Sequence, residues 1–403
     1  MTAGMGLRAI AQAGVFLIVA RVLGVEGYGA FAAVLAIAGT LGSFSGLGTQ
    51  ILLVRDVARD TTCFAEAWGR TLAAIAISTP TLLCLYALLA WAVLPAGISW
   101  AAILFIGLAE LFFAPLVLAG VNAYQGHERI GRAARLVLAP ILPRLAGALA
   151  LLPLALILAP PLRLPAWAVL YALAALVAAG YALRLVHRDL GLPLQADPRG
   201  LARHVREGIA FAFGGAALKL YADIDKTMLA RLATLEAAGA YSAGYRVMDL
   251  AQVPLVALLT SALPRFFRAG ETELGSVIRY GWRIVPIPLL YAVFVGAAMF
   301  ACAPLLPLAI GTSYQSAVTT LQWLAWLPLI GLPRLLLQHL LTGANLEKTV
   351  VSVLGLGAAL NILLNLWLIP FWNWRGAVVA TYIAEIIMAL VMLFFGMRSD
   401  VAR

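Results

Sequence analysis

Long apolar runs decide what this chain can be. About twelve stretches of roughly 18 to 28 residues follow one another, each long enough to cross ~30 Å of hydrocarbon as an α-helix. The spans read from the sequence are 4–23, 28–54, 67–94, 99–124, 136–159, 165–187, 207–231, 238–264, 282–308, 316–342, 349–370 and 375–397. Their connections alternate in character. Arg55, Arg59 and Arg70 fall in one, and none lies in 95–100. Arg129, Arg132 and Arg135 crowd the next, whereas Arg163 stands alone in its successor. Arg184, Arg188, Arg199, Arg203 and Arg206 are followed by Arg231 alone, and Arg265, Arg268, Arg279 and Arg283 by none across 304–315. Excess Lys/Arg marks cytoplasmic loops, so the rhythm gives orientation as well as number. Both termini are expected in the cytoplasm, and the outer loops are too short for an outer domain.

Composition removes the other classes. The chain is 63% hydrophobic and 11% charged over 403 residues, beyond what a soluble domain of this size tolerates. A formal charge of +10 would suit nucleic acid, but the positive residues sit mainly in the inner loops. Topology and attraction to anionic lipids account for them, so membrane lipids rather than nucleic acid are the expected partners. Cys63, Cys84 and Cys302 are too few and scattered for a disulfide framework or a zinc site. The apolar 14–23 stretch runs into Glu26-Gly27-Tyr28 rather than a small-residue cleavage site, so no cleavable signal is expected.

The basic connection 184–206 divides the chain near its middle. Asp197-Pro198 reads as a helix N-cap with a first-turn proline, opening a short surface helix over 199–207. An internal repeat supports two halves: residues 20–33 align without gaps on 230–243, sharing Ala20/Ala230, Arg21/Arg231, Glu26/Glu236 and Gly29/Gly239. A six-helix offset preserves orientation, so the repeats are parallel. The expected architecture is an all-α integral membrane protein with about twelve spans: an N-terminal half 1–190, a basic linker 191–206 and a C-terminal half 207–403. Two such halves around a central cleft suit alternating access. Prolines at 115, 140, 143, 254, 286, 288, 328 and 333 are expected to interrupt several spans.

At this point the motifs become familiar. Ala20-Arg21-Val22-Leu23-Gly24-Val25-Glu26-Gly27-Tyr28-Gly29, then Gly46-Leu47-Gly48-Thr49 and Leu53-Val54-Arg55-Asp56, resemble the start of Wzx-type polysaccharide flippases. These belong to the multidrug/oligosaccharidyl-lipid/polysaccharide (MOP) exporter superfamily, with its MATE-like fold. Tyr124-Gln125-Gly126-His127-Glu128-Arg129, Asp223-Ile224-Asp225-Lys226, the run 239–246, the run 361–370 and Gly376-Ala377 continue the likeness in collinear order. The resemblance implies a bacterial inner (cytoplasmic) membrane transporter of undecaprenyl-diphosphate-linked oligosaccharide for O-antigen, capsule or exopolysaccharide. It also implies polysaccharide polymerase and chain-length machinery as partners. A multidrug or cation antiporter of the MATE branch is the alternative, disfavoured because many cationic groups within the spans would repel a cation. A membrane polymerase or ligase would need a long outer loop, which is lacking here.

Ionisable groups inside spans cost ~2.5–3.5 kcal/mol each on insertion scales, so they are expected to face a cavity or a partner. Lys219, Asp223 and Lys226 fall on one stripe of the seventh span, with Asp225 on a neighbouring face. Arg246 and Asp249 lie in the eighth, and Glu110, Arg144, Arg334, His339 and Glu385 elsewhere. A diphosphate headgroup needs fixed cations on its way through hydrocarbon. Lys219, Lys226, Arg246, Arg144 and Arg334 are therefore the candidate substrate-binding residues. Glu110, Glu385, Asp223, Asp225 and Asp249 are the candidates for coupling to a Na+ or H+ gradient, with no cofactor expected. The structural alternative is that Lys219–Asp223 and Arg246–Asp249 merely neutralise each other. No enzyme site and no phosphate-cradling glycine loop is read from the sequence.

The orientation has a direct test. Reporter fusions after Arg135, Arg206 and Arg268 should report cytoplasm, and fusions near Ala96, Pro161 and Thr312 the opposite side. A reversed or irregular pattern would discard the span assignment.

Overall fold

Gly24 shows how little loop this chain needs. The computed structural model describes residues 2–191, 198–270, 284–344 and 346–401. In it a single helix, α1 (Thr2–Gly42), runs through the first expected span and into the second, broken only at Gly24, whose φ is 70° and ψ 176°. That backbone is open to glycine because it has no Cβ. The expected second span, 28–54, is itself interrupted. After α1 comes a tight turn, Ser45–Gly48, and then α2 (Thr49–Arg59). Gly46, Leu47 and Gly48 all take positive φ there, at 74°, 53° and 79°.

Side chains close what these breaks open. Gly46 N–H donates to Ser78 Oγ at 3.1 Å, Thr49 Oγ1 donates to Gly46 O at 2.7 Å, and Asn122 Nδ2 donates to Gln50 O at 3.0 Å. In the fourth span, α4 (Trp100–Leu108) passes through a π-helical turn, Ala109–Phe113, into α5 (Ala114–Gly126). Pro115 lacks the N–H that an α-helix would direct at Leu111 O, and the Thr79 hydroxyl, 2.7 Å from Ile75 O in its own helix, also lies 3.2 Å from that carbonyl. At the other break, Arg163 donates to Val22 O at 3.4 Å and to Ala155 O at 3.2 Å. In hydrocarbon an unmet backbone group costs several kcal/mol, so side-chain partners matter most where a helix is interrupted within a span.

The remaining helices follow the expected spans with two kinds of difference. α3 (Phe64–Val93) and α8 (Pro160–Leu190) are unbroken, whereas the fifth span divides at Ala139-Pro140 into α6 (Ile130–Leu138) and α7 (Ile141–Ile157). The surface helix expected at 199–207 is simply the start of α9 (Pro198–Leu232). After α10 (Leu235–Gly270) come α11 (Pro286–Cys302), α12 (Leu306–Ile310), α13 (Gln315–Leu324), α14 (Leu327–Ile330) and α15 (Leu332–Gly343). Thus the ninth and tenth spans are broken helices. The hairpin α16 (Glu347–Trp372) and α17 (Trp374–Val401) ends the chain. Residues 192–197 of the linker, with the Asp197 cap, lie outside the described residues, as do Arg279, Arg283 and the first part of the ninth span.

Nine stretches among the described residues are long and apolar enough to cross a membrane, rather than the expected twelve. The first two expected spans merge into one such stretch, Ile10–Gly42, and neither α9 nor the described part of α10 supplies one. The two repeat copies behave alike locally. Gly24 breaks α1, and its aligned position, Thr234, lies between the end of α9 and the start of α10, where its Oγ1 accepts the Ala237 N–H at 3.0 Å.

Contacts divide the chain into two compact units, Met1–Thr227 and Met228–Arg403. The first is cored where α2, α3, α5, α6 and α8 meet, around Leu53, Trp68, Tyr124, Leu136 and Val186. In the second, α10 packs on α13 and α15, α17 packs on α15 and α16, and Leu255, Leu259, Ala292, Leu332 and Leu336 cluster. Large apolar side chains outside these cores stand exposed, Leu156 at 89% and Leu308 at 76%, as in proteins whose solvent is lipid.

One close approach fixes the first unit. α9 passes the break in the second span so closely that a Cβ on Gly48 would lie 1.9 Å from Gly208 O, and one on Gly208 would lie 2.7 Å from Leu47 O. Gly48→Ala should therefore lower stability by about 3 kcal/mol or more, from clash and positive φ together. Gly39→Ala, where a Cβ meets nothing within 4 Å, should stay within about 0.5 kcal/mol. Thermal melts of the purified variants in detergent compare the two, and equal melting points would remove the contact's importance.

Candidate functional site

Two guanidinium–carboxylate sites stand out, one in each unit, the first part-buried and the second largely buried. In the first, Glu110 sits in the π turn of the fourth span, where the helix widens and turns a side chain out of the usual register. Its Oε1 accepts from the Tyr171 hydroxyl at 2.6 Å and lies 3.5 Å from Arg144 Nη2. Arg144 in turn stacks its guanidinium 4.6 Å from the centre of the Tyr171 ring. Tyr171 is held edge-on by Phe31 at 5.8 Å and beside Trp167, on α8. Gly42 passes the Glu110 carbonyl so closely that a Cβ would come within 2.8 Å. Arg144 Nε is buried without a hydrogen-bond partner among the described residues, which leaves a donor directed at nothing.

The second site joins α15 to α17. Arg334 Nε donates to Glu385 Oε2, and Arg334 Nη1 donates to Gln338 Oε1 at 2.8 Å. Both charged side chains are largely buried, at 15% and 7% exposure, so each depends on the other for solvation. Gly331 leaves room for the carboxylate, since a Cβ there would lie 3.2 Å from Glu385 Oε2. Nearby in sequence on α16, Asn361 and Asn365 are buried one turn apart, with Asn365 Nδ2 donating to Asn361 Oδ1 at 2.9 Å. Asn365 Oδ1 has no donor among the described residues.

The charged stripe of α9 is resolved into unequal parts. Lys226 pairs with Asp223 and also donates to Ala222 O at 3.1 Å. Asp225 is buried at 2% exposure, and its Oδ1 accepts the Lys226 N–H at 2.8 Å. Lys219 is exposed and makes no ion pair among the described residues. The partner of Asp223 is therefore Lys226, three residues on, rather than Lys219. On α10, Arg246 is half-buried and Asp249 exposed. His339 Nδ1 lies 2.8 Å from Leu335 O, within its own helix.

Sequence reasoning did not find a third arrangement, at the ends of helices that the arginine rhythm assigns to the cytoplasm. Asp56 meets Arg55 at 2.8 Å and His204 Nε2 at 2.8 Å, and Arg55 reaches Glu207 at 3.0 Å, tying α2 to α9. Burial pushes the Asp56 carboxyl up, but the bonds from His204 and Arg55 outweigh it and hold it below the ordinary carboxylate value. Asp189 gathers Arg132 at 3.1 Å, Arg188 at 3.0 Å and the Tyr124 hydroxyl at 3.1 Å. The only signal for these partners was the family-like runs at Leu53–Asp56 and Tyr124–Arg129, which do not say what each residue touches.

With this geometry in hand, the likeness to other proteins is informative. A model of the polysaccharide biosynthesis protein family matches residues 1–269. No curated protein matches the chain. Among solved structures, the chain is similar to an inward-facing multidrug resistance MATE family transporter of the MOP superfamily. The TM-score is 0.75 at 15% identity, covering 98% of this chain and 95% of that one. It is also similar to the lipid II flippase MurJ in an inward closed conformation, at TM-score 0.73 and 11% identity over 98% and 86% of the two chains. A MOP superfamily transporter from Pyrococcus furiosus gives 0.61 at 16% identity, over 99% and 93%. Such identities carry the fold, an all-α multi-pass membrane fold of the MATE and MurJ kind. With its match over residues 1–269, this multi-pass membrane chain belongs to the polysaccharide biosynthesis protein family.

Proposed function

We propose that this protein is a flippase that carries undecaprenyl-diphosphate-linked oligosaccharide outward across the bacterial inner membrane, by alternating access, for O-antigen, capsule or exopolysaccharide. The observation that carries the reading is the family match over residues 1–269, a family of polysaccharide biosynthesis proteins. The fold shared with MurJ, a lipid II flippase, is consistent with it. Both termini lie in the cytoplasm in this reading, and residues 1–190 and 207–403 act as the moving halves joined by 191–206. Polysaccharide polymerase and chain-length machinery would receive the product.

The residues then divide by role. Lys219, Lys226 and Arg246 are the cations offered to the diphosphate, whose oxygens take charge-assisted bonds from ammonium or guanidinium donors. Arg144 offers its unmet Nε donor to the same group. Arg334 is already committed to Glu385 and Gln338, so its release depends on that carboxylate. Glu110 and Glu385 are the better proton carriers, because protonating either would free a guanidinium in the same step. Asp223 is tied to Lys226, and Asp225 and Asp249 complete the acidic set for ion coupling. The chemistry needed is binding, charge compensation and release, with no bond made or broken.

Two experiments decide these roles. Lys226→Ala should cut flipping by about tenfold to a hundredfold at normal protein levels, the loss of one hydrogen bond to a charged group. Lys226→Arg should keep part of the activity, and Lys226→Ala with Asp223→Ala should not restore it. Surface polysaccharide in cells lacking their own flippase is the readout, and rescue by the double change would make the lysine a mere counter-ion. For coupling, Glu110→Gln and Glu385→Gln are compared in proteoliposomes with and without an imposed proton or sodium gradient. At least one should lose the gradient's stimulation while keeping downhill movement. Full stimulation in both would remove these two carboxylates from the coupling step.

A further inference from the structure

The tip of the last hairpin carries an open aromatic cleft, separate from the two charged sites, of about 490 Å³. Trp323, Phe371, Trp372, Asn373, Trp374 and Arg375 line it. Its shape is fixed by backbone. A single residue, Asn373, joins α16 to α17, with φ 53° and ψ −138°. Asn373 N–H donates to Ile369 O at 2.8 Å, and Gly376 N–H donates to Asn373 O at 2.9 Å. A Cβ on Gly376 would lie 2.4 Å from Leu368 O, so the two helices close on each other with no slack. Trp323 is brought in from α13, whose carbonyl at that residue accepts the Tyr382 hydroxyl of α17.

The chemistry of this corner is specific. The Trp323 and Trp374 rings stand at 88° with centroids 6.0 Å apart, forming two walls. Trp323, Phe371 and Trp372 remain 42%, 75% and 55% exposed. The Arg375 guanidinium lies 5.4 Å from the Trp374 ring and makes no ion pair among the described residues. Asn373 Oδ1 accepts the Trp374 backbone N–H at 2.7 Å, which leaves its N–H2 as donors. A phospholipid could cover the exposed rings with its chains and meet Arg375 with its phosphate, but it offers no hydroxyl acceptors to Asn373 and no rigid face to the corner of the two indoles. A pyranose ring has both requirements, a face of polarised C–H groups for the negative faces of the indoles and a rim of hydroxyls for Asn373 and Arg375.

We infer that Trp323 and the hairpin tip Phe371–Arg375 form a seat for one pyranose residue of a glycan. The inference rests on the flippase reading for its biological sense, because a polysaccharide transporter handles a sugar chain as well as a diphosphate. In the orientation read from the arginine rhythm, the tip lies on the outer side, where the glycan is delivered. The seat would hold the sugar end during release, while the charged residues hold the diphosphate.

The test is direct binding by the full chain, which is separate from transport. Saturation-transfer NMR on the purified protein in phosphatidylcholine nanodiscs would use methyl β-D-glucopyranoside and D-glucuronate as probes. Wild type should show transfer to ring C–H protons, and Trp374→Ala and Trp323→Ala should each weaken binding by about fivefold or more. Trp374→Phe, which keeps a ring face, should retain most of it, and Leu156→Ala, exposed in the other unit, should leave it unchanged. Melting points of all variants show whether a loss is local, and exposed Phe371→Ala serves if either tryptophan variant fails to fold. Absence of transfer in wild type, equal transfer in the alanine variants, or abolition by phosphatidylglycerol in the disc would overturn the seat. Loss of transport in wild type proteoliposomes would instead overturn the flippase reading, whatever the sugar signal shows.

Discussion

Hydrocarbon tolerates no unmet charge or backbone dipole, and most of this structure follows from meeting them. Glu110 needs Tyr171 and Arg144, and Arg334 needs Glu385 and Gln338. Each pair links helices that are distant in sequence, so one ionisable side chain determines where another helix must pack. The same demand operates on the main chain. Thr79 faces the carbonyl that Pro115 cannot serve, Arg163 covers carbonyls at two helix breaks, and Ser78 receives the Gly46 N–H.

This requirement also sets what the pairs can do. A buried ion pair contributes little net stability compared with a well-packed apolar pair, but breaking one side leaves a charge stranded. Such a pair is therefore sensitive to the loss of either partner. Arg144 is the clearer instance, since its Nε already lacks a partner among the described residues and its guanidinium is oriented by a ring rather than by a second carboxylate. Arg334, bonded to both Glu385 and Gln338, is the more tightly held of the two.

Periodicity and the arginine rhythm made the helical membrane class legible, and the collinear motifs made the family legible. Span edges were less so, for identifiable reasons. Gly24 turns the chain in one residue, where a connection of several residues was expected. α9 and α10 were read as spans from the sequence, but neither supplies a long apolar stretch among the described residues. Within a helix, spacing placed Lys219, Asp223 and Lys226 on one stripe but could not say which lysine the aspartate takes. Between helices, spacing says nothing, so the partners of Glu110, Glu385, Asp56 and Asp189 emerged only in three dimensions. The motif Leu53–Asp56 in particular reads as family likeness in sequence and as a clasp on α9 in space.

The interrupted second span has an electrostatic consequence. A helix carries roughly half a positive charge at its N-terminus and half a negative charge at its C-terminus. α1 ends at Gly42 and α2 begins at Thr49, so a negative pole and a positive pole face each other across six residues. Their fields largely cancel a short distance away. The break therefore gives the span a change of direction without giving it a net polarity.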